Sequence, residues 1–194
     1  DLQHAAALIT QLIAALHRGG MRIGLMTRLV QQLNTRLFER AWGMIAPSDL
    51  QANSCLFVMG SEGRGEQLLK TDQDNGLLLR DGYQPPHNLA EICQQFSDAL
   101  ARFGYPECPG RIMLNNPAWR GTVKEFTQRL KRWLLVPEGA DDLMHLGIFL
   151  DAHAVAGDAH LLTQVRDNLQ AFTLDSDVQV ARFAAAVDAF GSPA

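Results

Sequence analysis

Two short apolar runs separated by a glycine-rich polar stretch constrain this chain more than any other feature. Residues 55–59 read Cys-Leu-Phe-Val-Met without a polar interruption, and Leu77, Leu78 and Leu79 make a second run. A continuous apolar run this short, bounded by turn residues, is the pattern of a strand covered on both faces. Between the runs, Gly60, Ser61, Glu62, Gly63, Arg64, Gly65 and Glu66 read as a turn opening a short helix. Residues 72–79 then read as the second strand, ended by Asp81 and Gly82.

Helical periodicity surrounds these strands. Residues 2–18 place Leu8, Leu12, Ile13 and Leu16 on one face. Gly19 and Gly20 break that helix, and residues 22–40 resume with Met26, Leu29, Val30, Leu33 and Leu37. The pair reads as a hairpin packed on the same domain, or alternatively as a partner surface. Residues 88–103 form an amphipathic helix with Leu89, Ile92, Phe96, Leu100 and Phe103 inward, and residues 111–114 read as a third strand. Helices are expected at 122–135, 141–156, 159–171 and 177–190. The expected fold class is α+β: a small mixed sheet with an N-terminal helical hairpin and C-terminal helices. The expected organisation is a helical segment at 1–50, a core at 51–157 and the start of a helical domain at 158–194.

Bulk properties narrow the partners. The net charge of −4 provides no basic field, so nucleic acid is not an expected partner. A nucleotide remains compatible, because a metal ion can supply the charge a triphosphate needs. No apolar run approaches the roughly 18 residues of a membrane helix, and the start lacks the pattern of a signal peptide. Cys55, Cys93 and Cys108 are too few and too scattered for a disulfide framework. Reduced thiols in a cytoplasmic protein is the resulting expectation. The chain opens on Asp1 rather than Met and closes on Gly191, Ser192, Pro193 and Ala194, so it is expected to be part of something longer.

Chemistry concentrates between residues 60 and 75. Alternate strand residues share a face, so Asp72 and Asp74 are expected to project side by side. Two carboxylates that close repel, and a divalent cation such as Mg²⁺ or Mn²⁺ resolves the conflict with hard oxygen ligands. Upstream, Gly60 permits close backbone approach, while Ser61 and the amides at the helix start can bind phosphate oxygens. Arg64, one turn further on, can add a charge-assisted bond. Glu66 and Gln67 either support these ligands or form a polar helix face. His4, His17, His87, His145 and His160 share no metal-ligand spacing. Trp119 and Trp133 fit helix packing, with Trp119 also a candidate border of the nucleotide pocket. Lys70 and Lys124 are candidate phosphate contacts or solvated lysines.

The string Gly-Ser-x-Gly-Arg-x-Glu-Gln followed by Thr-Asp-Gln-Asp-Asn resembles a bacterial nucleotidyltransferase family often found behind cyclic-nucleotide-binding and CBS domains. That family is similar to PII uridylyltransferase and glutamine synthetase adenylyltransferase, within the DNA polymerase beta-like superfamily. The resemblance rests on Gly60, Ser61, Gly63, Arg64, Glu66, Gln67, Thr71, Asp72, Gln73, Asp74 and Asn75. More weakly, it extends to Ile112, Met113, Asn116, Pro117, Trp119 and Arg120, then to Ile148, Phe149, Asp151, Gly157 and Asp158. It implies that Asp72 and Asp74 hold metal, that Gly60 and Ser61 cradle ATP or UTP, and that Glu66 and Gln67 belong to the nucleotide site. It further implies transfer of a nucleoside monophosphate to a protein or small-molecule acceptor, in signalling, under upstream regulatory domains. The superfamily brings a third carboxylate from another strand. Asp151 is the preferred candidate and Glu107 the other, with a structural cap the alternative role for Asp151. His153 stands where relatives tend to have arginine. A chain lacking the third carboxylate would be a nucleotide sensor without turnover.

Overall fold

The computed structural model describes residues 1–19, 22–59, 72–137, 140–174 and 181. The Gly60, Ser61, Arg64, Glu66 and Gln67 motif and, apart from residue 181, the helix expected at 177–190 lie outside the described residues.

Three helices open the chain: α1 (Leu2–Arg18), α2 (Ile23–Ile45) and α3 (Ser48–Ala52). Strand β1 (Ser54–Val58) follows, then β2 (Asn75–Leu79) and helix α4 (Leu89–Arg102). A short 3₁₀ turn (Pro117–Trp119) leads into β3 (Arg120–Thr122) and α5 (Val123–Leu135). Helix α6 (Ala140–Leu150), strand β4 (His153–Gly157) and helix α7 (His160–Leu174) complete the described elements. The four strands form one sheet in the order β3-β2-β1-β4. Strand β1 is antiparallel to both neighbours, whereas β2 and β3 are parallel, so the sheet is mixed as expected.

The sheet lies between two apolar layers, and strand alternation assigns its residues to them. Leu56, Val58, Leu77, Leu79 and Val155 share one apolar cluster with α2 and α4, and α1 packs on α2. Cys55, Phe57, Met59 and Leu78 face α5, α6 and α7. Every residue of β1 and β2 is buried, which is why both read as uninterrupted apolar runs. Phe57 meets Phe126 and Phe149 edge to face. Its ring also lies over Gly76, its partner in the register, where any Cβ would overlap the ring. Helix α5 starts on a reciprocal cap. The Thr122 amide donates to Glu125 Oε2 at 2.9 Å and the Glu125 amide donates to Thr122 Oγ1 at 3.2 Å.

Three expectations need correction. The second strand starts at Asn75, not at residue 72, so Asp72 and Asp74 lie in the connector leading into it. Residues 111–114 are not a strand: Arg111 has φ 54°, and turns at Arg111 and Asn116 close onto the carbonyls of Cys108 and Met113. The third strand is β3 instead, whose Arg-Gly-Thr sequence has no apolar pattern to reveal it. The helix expected over 141–156 ends at Leu150, and its last four residues belong to β4. Backbone bonds from Asp151 to Ile148 and from Ala152 to Phe149 close that helix and release the chain into the sheet.

Candidate functional site

The sheet topology brings distant carboxylates to one end. Val58, at the end of β1, pairs with Asn75 on one side and with His153 on the other. The start of β2, and with it Asp74, therefore flanks the end of β1. Asp151 flanks the same end from the β4 side, two residues before His153. The Met59 amide donates to the Asp74 carbonyl at 2.9 Å and extends this pairing past the regular strand.

Residues 72–74 are irregular, yet Gln73 and Asn75 pin the backbone on either side of Asp74. The Gln73 amide donates to the Pro106 carbonyl at 2.9 Å, and the Asn75 amide donates to the Ile112 carbonyl at 3.0 Å. Asn75 Oδ1 accepts the Leu114 amide at 3.0 Å. Residues 105–114 thus run beside the start of β2 and occupy the place expected for a strand. Arg120 holds this segment from the other side, donating to the carbonyls of Leu114 and Asn115 at 2.9 and 2.7 Å.

Burial alternates along the connector: Gln73 and Asn75 are buried, while Asp72 and Asp74 are half-buried. The Gln73 side chain donates through Nε2 to the carbonyls of Ser97 (3.0 Å) and Tyr105 (2.9 Å). Both neighbours are acceptors, so only this orientation of the amide satisfies them. Tyr105 in turn donates to Asn34 of α2 at 2.5 Å. Gln73 is therefore the anchor that fixes the backbone between the two aspartates. Gln73→Leu is expected to destabilise the fold by about 1–3 kcal/mol, since two buried carbonyls lose their donor. Urea melts of the two proteins measure this directly.

Burial raises the pKa of Asp74 above the ordinary carboxylate range; a hydrogen bond from the Cys108 thiol opposes the rise, and the nearby charge of Asp72 adds to it. Cys108 is half-buried, and its own pKa is raised by burial and by Asp74. No spacing in the sequence links residues 74 and 108, so this contact had no signal there. Glu107 is exposed, and it lies between Pro106, which accepts from Gln73, and Cys108, which touches Asp74. Arg166 of α7 donates to the Ala152 carbonyl beside Asp151.

A half-buried pair of like charges is an arrangement that a divalent cation relieves, and its oxygens are the hard donors Mg²⁺ or Mn²⁺ takes. The chemistry of the pair is compatible with such an ion. Among the described residues, no three His, Cys, Asp or Glu side chains converge closely enough to hold a metal between them. Asp151 shares the end of the sheet with the pair without forming a ready-made triad with it.

Other residues fall elsewhere. Trp119 is 1% exposed and packs against Phe126, Trp133 and His145, so it belongs to the core. The Lys124 amide is bound by Asp81, beyond the far end of β2, and the lysine lines a cleft there. Cys55 and Cys93 are buried thiols with pKa values pushed up to about 12 and about 11, which leaves them unreactive. No described helix is long and apolar enough to cross a membrane.

Comparison with curated proteins found no match. Residues 7–140 match the family described as "Putative nucleotidyltransferase DUF294", a span that includes Asp72 and Asp74 and stops short of Asp151. With well over half of its 194 residues matched, the chain belongs to this nucleotidyltransferase family.

Proposed function

We propose that the chain transfers a nucleoside monophosphate from ATP or UTP to an acceptor hydroxyl, on a protein or a small molecule, and releases pyrophosphate. The observation carrying this reading is the half-buried Asp72–Asp74 pair at the end of a mixed sheet, in a chain of nucleotidyltransferase descent. Asp72 and Asp74 would hold Mg²⁺ or Mn²⁺, whose chemistry is to offset charge on the triphosphate and on the attacking oxygen.

The chain's own residues do the rest. Gly60 and Ser61 present backbone and hydroxyl groups to the triphosphate, Arg64 adds a charge-assisted bond, and Glu66 and Gln67 support that binding surface. Gln73 and Asn75 keep the two carboxylates in register with the end of β1. An acceptor oxygen attacks the α-phosphorus. The bond to the bridging oxygen breaks, pyrophosphate departs, and the hydroxyl proton passes to a nearby base or to solvent. Asp151 is the third carboxylate and orients the acceptor from the β4 side. Upstream ligand-binding domains in the full-length protein would regulate the reaction as part of signalling in a bacterial cytoplasm.

Incubation with α-labelled and γ-labelled triphosphates, Mg²⁺ or Mn²⁺, and a cell lysate tests this reading. Label should pass to an acceptor from the α position only. Asp151→Asn should abolish transfer and leave triphosphate binding by calorimetry intact, because a loss confined to the transition state spares ground-state affinity. Loss of transfer in Glu107→Gln but not in Asp151→Asn would assign the third carboxylate to Glu107 instead. Metal-dependent binding with no transfer to any acceptor would make the chain a sensor.

A further inference from the structure

Helix α1 is apolar on two faces, and among the described residues only one of them is covered. Ala6, Ile9 and Ile13 are buried against α2, with Leu16 packed beside them. Leu8 and Leu12, one turn apart on another face, are 48% and 39% exposed. Together with Leu2 from α1 and with Leu33 and Leu37 from α2, they line an open groove of about 740 Å³ along the hairpin. Among the described residues, the charged ones lining it are Arg36 and Arg40, with no carboxylate. These two arginines are four residues apart on one helix face, where like charges repel. Neither guanidinium makes an ion pair or hydrogen bond among the described residues.

From the apolar floor and the unpaired cationic rim, we propose that this groove docks an amphipathic helix of a partner protein, with a leucine-type stripe flanked by Asp or Glu. A helix laid between α1 and α2 would cover Leu8 and Leu12 and would put its acidic flank against Arg36 and Arg40. Charge decides against a second copy of this chain. A two-fold contact through the groove would gather four guanidinium groups in one interface, with no carboxylate among the described lining residues to pair them. The groove uses none of the residues assigned to nucleotidyl transfer, so the two readings stand or fall separately.

The test uses the full chain and two fluorescent synthetic peptides of ~18 residues, about 27 Å as a helix. Both carry leucines at i, i+4, i+7 and i+11; one flanks them with Glu and the other with Lys. Fluorescence anisotropy should show the acidic peptide binding at least about tenfold more tightly, with the difference shrinking in high salt. Leu12→Asp, at an exposed position, should abolish binding while circular dichroism stays unchanged. The double variant Arg36→Glu, Arg40→Glu should reverse the peptide preference. Equal binding of both peptides, or of neither, would overturn the proposal. So would a dimer in sedimentation that Leu12→Asp converts to monomer, since a second copy would then be the occupant.

Discussion

Asp74→Asn is expected to eliminate nucleotidyl transfer and, at neutral pH, to raise the melting temperature of the ligand-free protein. The two effects share one cause. Burial, reinforced by the Asp72 charge and partly opposed by the Cys108 hydrogen bond, raises the Asp74 pKa above its unfolded value. Between the unfolded and folded values, the native state holds more protons than the unfolded one. Stability therefore falls as pH rises through that window, and it stays reduced at neutral pH. An asparagine carries no charge to desolvate, so the variant avoids this cost, and its advantage should vanish as pH drops below the carboxylate range. Removing a carboxylate from a metal-supported phosphoryl transfer costs several kcal/mol of transition-state stabilisation, about a thousandfold or more in kcat/KM. Thermal melts at pH 7 and pH 3.5, run beside label-transfer assays, check both arms. A wild-type protein more stable than Asp74→Asn at neutral pH without metal would contradict the electrostatic account.

Gly157→Ala is expected to be the most destabilising single-methyl addition among the described glycines. Gly157 has φ 82°, in the left-handed region, where a side chain costs roughly 1–2 kcal/mol. A Cβ there would also run into the Ser54 carbonyl oxygen, with the Gln51 carbonyl oxygen only 3.0 Å away. These are backbone atoms, and the Ser54 carbonyl already accepts the Asp158 amide at 2.8 Å, so nothing flexible can yield. Overpacking adds about 1–3 kcal/mol, and the combined loss of about 2–5 kcal/mol is a large part of ordinary domain stability. Chemical denaturation of the variant measures it. A loss below 1 kcal/mol would mean that β4 can shift its register on β1 at small cost.

Legibility in the sequence followed burial and locality. Strands β1 and β2 were readable because both faces are covered, which leaves five-residue runs without polar residues except near their ends. Strand β4 was not, because Ala152, Ala154, Val155 and Ala156 continue an apolar helical stretch, and small residues suit either period. The amphipathic stripes of α2 and α4 were plain, although Trp42 carries α2 further than its stripe suggested. Within the site, the Asp72–Asp74 pair was visible as a local conflict of like charges. The partners of Gln73 and the thiol beside Asp74 come from residues 97–108, and contacts at that separation leave no local pattern.

The central position of β1 carries a consequence for biosynthesis. One edge of β1 is matched by β2 about twenty residues later, but the other waits for β4, whose residues 153–157 follow β1 by nearly a hundred positions. At 5–20 residues per second, a ribosome takes roughly 5–20 s to cover that distance. Until then the edge of β1 that pairs with β4 has no partner strand, and an unpaired edge of a largely apolar strand is the kind on which chains aggregate. The sheet is thus completed only after some ninety-five further residues have been added.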